Sequence, residues 1–172
     1  MSGVTIRAVR REDGAALIAA HIACQAILHP WVEPFTDMTG FDSWFAQVGQ
    51  GRKEAFVIER DGVLAGVVNL NEIVRGPFLS CYMGYYGFGL GRGTMTQGVR
   101  RVLDAAFGPL GLHRVEANIQ PANLRSKALV QRLGFRLEGV SPRYLRIAGD
   151  WRDHERWARL ADDTVAPHKP AR

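Results

Sequence analysis

Short runs of alternating apolar and polar residues along this chain are separated by stretches whose apolar positions recur with helical spacing. The alternation over Val4–Val9 predicts a first strand. Asp13 is a natural N-cap for a helix that reaches about Leu28, and Phe41–Val48 predicts a shorter second helix. The pair Asp61-Gly62, between two apolar runs, predicts a two-residue hairpin turn.

The rest of the chain continues the alternation of strands and helices. Further strands are predicted over Ala55–Glu59, Val63–Asn71, Phe78–Tyr86, Arg114–Ile119, Phe135–Gly139, Tyr144–Ile147 and His154–Leu160. Helices are predicted from about Gly93 to Phe107 and from the N-cap Asn123 to Leu133. The order β-α-α-β-β-β-α-β-α-β-β predicts an α/β fold in which helices cover a mixed sheet. Residues 1–161 are expected to form one domain, and residues 162–172 a loose tail.

The run Met83–Gln97 differs from its surroundings because glycine recurs at positions 87, 89, 91 and 93. Glycine is costly in chain entropy, so this spacing indicates a sharp turn or backbone that approaches a ligand closely. The helix predicted next offers unpaired N–H groups and the positive end of its dipole. Together these features predict a binding site for a phosphate or pyrophosphate.

Motif spacing argues against several other sites. The dinucleotide pattern Gly-x-Gly-x-x-Gly lacks its third glycine from every starting point in the run, and no Gly-Lys pair exists for a Walker loop. His21 and Cys24 can share a helix face, but no further ligand pair lies nearby, so no metal site is expected. Ser126 has no histidine at motif spacing, which leaves a hydrolase triad without support.

Composition narrows the class of protein. Apolar residues make up 47% of the chain and charged residues 23%, as in ordinary soluble globular proteins. No apolar run approaches the roughly 18–20 residues of a membrane span, and Cys24 and Cys81 give no disulfide framework. We therefore expect a cytoplasmic protein with no membrane partner. The net charge of +5 fits an anionic partner such as a phosphorylated cofactor, an acidic protein or RNA, and fits a merely soluble surface equally well.

Beyond the glycine run, an ordered set of motifs resembles the GNAT N-acetyltransferases. Gly91-Arg92-Gly93-Thr94-Met95-Thr96 is similar to the acetyl-CoA pyrophosphate loop of that superfamily. Six further segments resemble one branch of the superfamily, the RimJ/RimL-type ribosomal-protein alanine N-acetyltransferases, and RimJ in particular. They are His113–Asn118, Pro121–Ser126, Leu133–Gly139, Pro30–Pro34, Asn69–Gly76 and Trp151–His154. The resemblance implies a mixed, mostly antiparallel sheet that is flanked by helices and split between the strands before and after the glycine-loop helix. Phe88 departs from the pattern, because the superfamily usually has Gln or Arg there.

The resemblance implies acetyl-CoA as the cofactor, held largely by backbone N–H groups. The residues expected to bind it are Met83, Gly84, Tyr85, Leu90, Gly91, Arg92, Gly93, Thr94, Met95, Thr96, Asn123 and Ser126. The strand near Met83–Tyr85 is expected to offer backbone groups to the pantetheine arm and a donor to the thioester oxygen. Asn123 has two interpretations of equal weight, a pantetheine contact and a helix cap.

Direct transfer of an acetyl group to an amine, also implied by the resemblance, requires a base and an acid. In relatives the base is often a carboxylate at the position of Asn118, which cannot act as one. Glu116, on the same strand face, and Glu33, in the proline-rich loop, are rival candidates, and each also fits a structural role. Relatives often carry a tyrosine acid where this chain has Val130. The nearest hydroxyl is Ser126, and further donors are Tyr85, Tyr86 and Tyr144.

The acceptor pocket is expected on the other side of the split sheet. Its candidate residues, each of which equally fits a core position, are Trp31, Glu33, Phe35, Tyr144 and Trp151. The implied acceptor is the N-terminal alanine of a ribosomal protein, with ribosome association as a further implication and no specific DNA partner. The alternatives are a small-molecule amine, an antibiotic or a lysine as acceptor, and a non-catalytic ribosome-assembly factor of the same fold. The oligomeric state stays open.

Overall fold

Strands and helices form close to their predicted places in the computed structural model, which describes residues 3–91 and 93–163. The strands are β1 (Val4–Ala8), β2 (Glu54–Arg60), β3 (Val63–Val74), β4 (Ser80–Gly87), β5 (Arg114–Ile119), β6 (Arg136–Ile147) and β7 (Asp150–Leu160). The helices are α1 (Gly14–Ala23), α2 (Gln25–Leu28), α3 (Met38–Phe45), α4 (Thr94–Phe107) and α5 (Leu124–Arg132), and a 3₁₀ turn covers Arg11–Asp13.

The strands form one mixed sheet in the order β1-β2-β3-β4-β5-β7-β6. Neighbouring strands are antiparallel except β4 and β5, which are parallel. The parallel pairing covers only Ser80–Tyr82 against Arg114–Glu116, although β4 continues to Gly87 and β5 to Ile119. The predicted fold, a mostly antiparallel sheet split between the strands on either side of α4, is therefore confirmed.

The two faces of the sheet pack against different helices, because successive side chains of a strand point to opposite faces. The larger apolar cluster joins the sheet to α4 and α5, and includes Val68, Val115, Val99, Val102 and Val130. A second cluster joins the opposite face to α1 and α3, and includes Val57, Val67, Leu17 and Phe41. We call these sides of the sheet the α4/α5 face and the α1/α3 face.

The first predicted helix is interrupted. Helix α1 ends at Ala23 and α2 begins at Gln25, because Cys24 between them leaves the helical conformation with φ −104° and ψ 11°. Apolar residues continue across the break, so the sequence pattern gives no sign of it. The predicted single helix is wrong in this respect.

Asp13 does not cap α1 as predicted. Its carboxylate accepts two hydrogen bonds of 2.8 Å from the Arg7 guanidinium on β1 and one of 2.7 Å from the Arg10 N–H. The hydrogen bonds from Arg7, above all, hold the pKa of Asp13 below its usual value. A charged partner on the neighbouring strand therefore takes the carboxylate away from the helix terminus.

The last two strands form a long hairpin at the edge of the sheet. The strands predicted over Phe135–Gly139 and Tyr144–Ile147 are a single strand, β6, whose pairing with β7 shifts between Ser141 and Leu145. Asp163, within the predicted tail, accepts a hydrogen bond from the Leu160 N–H and pairs with Arg136 at 2.6 Å. Residues 164–172 lie outside the described residues. Across 3–91 and 93–163, no helix is long and apolar enough to cross a membrane.

A buried histidine connects α1 with β4 and with the loop before α3. His21 is 1% exposed; its Nδ1 lies 2.7 Å from the Phe35 carbonyl oxygen and its Nε2 lies 3.1 Å from the Tyr86 hydroxyl. Because a carbonyl oxygen only accepts, Nδ1 carries the proton and Nε2 accepts from Tyr86. The ring is held neutral, and burial lowers the pKa of His21.

Mild acid is expected to destabilise the fold through His21. Its folded-state pKa lies below the unfolded value of about 6.5, so its contribution is complete above that pH and is lost as the pH falls toward the folded-state pKa. In this window the free energy of unfolding should fall by up to about 1.4 kcal/mol per pH unit. The pKa values of the Asp13 and Glu138 carboxylates are lowered from their already acidic ordinary values, so these groups do not contribute to a slope between about pH 5 and about pH 7.5.

Urea unfolding at about pH 7.5 and about pH 5 measures this slope. His21→Asn should flatten it, because the side chain at position 21 then has no proton to gain. His113→Asn, at an exposed histidine, should keep the wild-type slope. The assignment fails if the His21→Asn protein loses stability on acidification as steeply as the wild type.

Candidate active site

A cavity of about 940 Å³ passes through the sheet where β4 and β5 separate. The α4/α5 face contributes Met83 and Ala117 to its wall, and the α1/α3 face contributes Tyr82 and Asn118. Residues of α2, α4 and α5 and the end of β6 complete the lining. The missing pairing between the two strands therefore opens a passage between the two sides of the sheet.

The glycine loop leads into α4 at one end of this cavity. Gly93 is the N-cap of the 14-residue α4 and has the left-handed φ of +72°. The Thr94 hydroxyl donates to the Gly91 carbonyl oxygen at 2.8 Å and accepts from the Arg60 guanidinium at 2.7 Å. These bonds fix the first turn of α4, whose N–H groups and helix dipole suit a pyrophosphate.

The structure brings together the predicted cofactor residues that it describes. The cavity is lined by Met83, Gly84, Tyr85, Leu90, Gly91, Gly93, Thr94, Met95, Thr96, Asn123 and Ser126. Arg92 lies outside the described residues, so its contact with the cofactor stays a prediction. Asn123 caps α5, because its Oδ1 accepts from the Ser126 N–H at 3.1 Å.

Two hydroxyl groups meet on the α4/α5 side of the cavity. The Tyr85 hydroxyl bonds the Ser126 hydroxyl and lies 3.2 Å from the Ser126 carbonyl oxygen. Burial raises the pKa of Tyr85 to about 12, against the opposing effect of the Ser126 hydrogen bond. Tyr85 therefore stays protonated at neutral pH, and the pair can give a proton to a leaving thiolate.

Two buried amide oxygens in the cavity wall have no hydrogen-bond partner within the described residues. They are Oδ1 of Asn69 on β3 and Oδ1 of Asn118 on β5. An unpaired buried acceptor costs about 1–3 kcal/mol, so each is suited to an N–H donor brought by a ligand. An acyl-CoA has amide N–H groups in its pantetheine arm and the acceptor brings an ammonium, so the wall fits both partners.

The two carboxylates predicted as rival bases do not line the cavity. Glu116 pairs at 2.7 Å with Arg114, which also binds Glu138. Glu33 is exposed and accepts a hydrogen bond of 3.2 Å from the Ala148 N–H at the β6–β7 turn. Both side chains are thus seen in structural roles. Asn118, which occupies the usual position of the base in relatives, and Ser126, the candidate acid, both line the cavity.

Of the aromatic residues predicted for the acceptor pocket, Trp31 lines the cavity and three others do not. The Phe35 ring packs against His21 at a centroid distance of 4.5 Å, inside the core on the α1/α3 face. Trp151 is 61% exposed near the β6–β7 turn, and the Tyr144 ring lies 6.1 Å from that of His154. Tyr82 and Tyr86, which the pocket prediction did not include, line the cavity as well.

The acceptor side contains polar residues that the sequence predictions did not include, namely Asn69, Asn71, Tyr82, Gln120, Arg146 and His154. Most of them lie on strands whose alternation showed only that they share a face. His154 belongs to the motif Trp151–His154, which indicated the family but assigned the imidazole no role. Its Nδ1 lies 2.9 Å from the Arg152 carbonyl oxygen.

The charge of the wall is positive. The charged side chains in the described lining are Arg125, Arg132 and Arg146, and no carboxylate of residues 3–91 or 93–163 is among the lining groups. Arg125 and Arg132 lie on α5, where they add to the positive end of α4 as partners for phosphate groups. The rest of the described lining includes the uncharged amides of Asn69, Asn71 and Asn118 and the imidazole of His154.

Phe88, the departure from the superfamily pattern, has a packing role. Its ring lies 5.7 Å from that of His21 and 6.0 Å from that of Tyr86. Its N–H donates to the Ala65 carbonyl oxygen at 2.9 Å. Phe88 thus anchors the start of the glycine loop to β3 and to the core on the α1/α3 face.

Known proteins resemble this chain along most of its length. The family model for the acetyltransferase (GNAT) domain matches residues 4–136. The [ribosomal protein uS5]-alanine N-acetyltransferase of Escherichia coli is 33% identical over 165 residues, which cover 88% of this chain and 84% of that enzyme. The structure of Mycobacterium smegmatis RimJ in complex with CoA-disulfide superimposes with a TM-score of 0.84 and 36% identity, covering 92% of this chain and 82% of RimJ.

Other similar proteins have different names. The probable N-acetyltransferase YjcK of Bacillus subtilis is 40% identical over 105 residues, or 60% of this chain and 58% of YjcK, so the match spans a little over half of that relative. The spermidine N(1)-acetyltransferase of Escherichia coli is 25% identical over 171 residues, covering 96% of this chain and 90% of that enzyme. The names of the similar proteins thus include two different acceptors, the alanine of a ribosomal protein and spermidine.

Proposed function

Because this chain belongs to the GNAT acetyltransferase family, we propose that it acetylates the N-terminal alanine of a ribosomal protein. The predicted class, an acyltransferase that uses acetyl-CoA, is confirmed by the family match and by the CoA-containing RimJ structure. The alternative of a non-catalytic assembly factor gains no support. The acceptor is supported by the similarity to the uS5-alanine enzyme, and the net charge of +5 is compatible with docking near RNA. A ribosomal protein is available in the cytoplasm, which is therefore the proposed location of the enzyme.

The observation that carries the choice of acceptor is the lack of carboxylates in the described wall of the cavity. A polyamine brings several ammonium groups, and each one that leaves water needs a negative partner. A peptide N-terminus brings a single ammonium, for which the amides of Asn69 and Asn118 are adequate partners. The wall therefore favours a protein N-terminus over spermidine.

The chain has three tasks in this reaction. The α4 N-terminus and its glycine loop bind the pyrophosphate. The edge of β4 beyond Tyr82, no longer paired with β5, is open for backbone hydrogen bonds to the pantetheine arm and the thioester oxygen. One such donor to a developing oxyanion is worth roughly 3–4 kcal/mol in other enzymes. Tyr85 and Ser126 supply the proton for the thiol, and acetyl-CoA supplies the activated thioester.

A panel of amines tests the acceptor. We expect a peptide with the N-terminal sequence of uS5, starting with alanine, to be acetylated with a kcat/KM at least about 10-fold above that for spermidine, because rejecting an unmatched charge is worth a kcal/mol or more. Thiol release from acetyl-CoA measures turnover. The same peptide with its α-amine blocked should not react. Faster turnover of spermidine, or acetylation of a lysine in the blocked peptide, would contradict the proposal.

A further inference from the structure

The position of His154 follows from the pairing of β5 with β7. Asn118 lies opposite Arg156, and the last pair is Ile119 with Glu155, so His154 follows one residue beyond it. Alternation places the side chain of His154 on the same face as that of Asn118. A residue in this diagonal position lies about 7–8 Å away, within reach of long side chains. His154 is therefore next to the split in the sheet, on its acceptor side.

Hydrogen bonding fixes which nitrogen of His154 can accept a proton. The Arg152 carbonyl oxygen, 2.9 Å from Nδ1, can only accept a hydrogen bond, so Nδ1 carries the hydrogen. The lone pair of the neutral ring is then on Nε2. His154 is 3% exposed and is one of the residues that line the cavity.

The other ionisable side chains in the described lining are poor bases near neutral pH. They are the phenols Tyr82, Tyr85 and Tyr86 and the guanidinium groups of Arg125, Arg132 and Arg146. Phenols are protonated at that pH and guanidinium groups carry no lone pair for a proton. An imidazole is the side chain whose ordinary chemistry takes up a proton between about pH 5 and pH 8.

We propose that His154 is the general base of this enzyme, which rests on the acetyl transfer proposed above. Nε2 takes one proton from the acceptor ammonium, and the N–H electrons become the lone pair of the amine. The amine then bonds the acetyl carbon as the carbon–sulfur bond breaks. The thiolate takes a proton from the Tyr85–Ser126 pair, and the second proton lost by the nitrogen replaces it. The imidazolium returns its proton to solvent, so one proton is released per amide formed.

The charged and titratable groups around His154 belong to several elements. β6 contributes Tyr144, whose ring lies 6.1 Å away, and Arg146. β7 contributes Arg152, Asp153 and Arg156, β4 contributes Tyr82 and β5 contributes the paired Glu116. Three of these groups are guanidinium groups, and both carboxylates have partners: Glu116 pairs with Arg114, and Asp153 accepts from the Arg143 N–H at 2.7 Å.

The test uses His154→Gln, with His113→Gln at an exposed histidine as its control. At about pH 7 we expect kcat to fall by roughly 10²–10⁴-fold in His154→Gln, with the KM for acetyl-CoA changed less than about threefold. Its kcat should then rise with pH until the acceptor amine loses its own proton, near about pH 8 for a peptide α-amine, since the amine must now ionise unaided. In His154→Ala, added imidazole should restore part of the activity.

A folded His154→Gln protein with wild-type kcat and pH profile would overturn the proposal. A lower kcat with the wild-type pH profile, and no rescue by imidazole, would assign His154 a structural role and overturn it equally. The assays use whichever amine of the panel the wild type acetylates fastest. If that amine is spermidine, the proposed acceptor is wrong, while the test of His154 still gives its answer.

Discussion

Acetyl-CoA is expected to bind about 100-fold more weakly after Gly93→Val, a loss of about 2.7 kcal/mol. Gly93 has φ +72° as the N-cap of α4, and a β-branched residue strongly disfavours that conformation. Relaxing to a negative φ turns the first N–H groups of α4 away from the position that suits a pyrophosphate. A Cβ at position 93 would meet only the Gln97 side-chain nitrogen, at 4.0 Å, so the expected loss comes from the backbone conformation.

Calorimetric titration with acetyl-CoA measures this loss. Gly111→Val is the matched control, because Gly111 has a similar φ of +61°, follows the other end of α4 and is not part of the described cavity lining. It carries the same backbone strain, so it should lose stability but keep its affinity. Unchanged affinity in Gly93→Val, or an equal loss in Gly111→Val, would disprove the placement of the pyrophosphate at the α4 N-terminus.

The second large effect concerns stability, which Gly66→Ala is expected to lower by about 2–3 kcal/mol. A Cβ at position 66 would lie 2.5 Å from the Met95 sulfur and 2.6 Å from the Tyr86 carbonyl oxygen. The sulfur belongs to a flexible side chain, but the carbonyl belongs to the neighbouring strand. Either β3 and β4 move apart or α4 lifts from the sheet, and both changes lose buried contacts.

Gly84→Ala controls for the loss of a glycine in a strand. Its Cβ would meet nothing closer than the Asn71 side-chain nitrogen at 3.6 Å, an ordinary contact. Urea unfolding should therefore show a change of less than about 1 kcal/mol for Gly84→Ala. Equal stabilities of the two variants would show that α4 is not held by close approach at Gly66.

The sequence predicted the fold because the fold depends largely on local signals, and the glycine loop is set by signals of the same kind. Glycine spacing, the Asn123 cap and the alternation of Arg114–Ile119 each act within a few residues, and the structure places them as predicted. The described residues of the predicted cofactor loop all line one cavity. The glycine loop before α4 presents backbone groups, so its conformation is specified by its own residues and needs no distant side chain.

The acceptor side could not be predicted in the same way, because it depends on which strands become neighbours. Strand periodicity placed Glu116 and Asn118 on one face but could not show that Arg114 would bind Glu116. The sequence fitted Phe35 to the pocket and to the core equally well, and its contacts with His21, 14 residues earlier, place it in the core. The position of His154 is set by the register of β5 against β7.

The short pairing of β4 with β5 has a mechanical consequence. Within the described residues, the β1–β4 half of the sheet and the β5–β7–β6 half are joined by three strand pairs, from Ser80 to Tyr82, and by the hydrogen bonds that the Leu79 carbonyl oxygen accepts just before them. The cavity is lined by residues of both halves, so a bound ligand would contact both of them and hold them together. We therefore expect bound cofactor to stabilise the contact between the two halves, and the protein that has just released CoA to be the form in which they separate most easily.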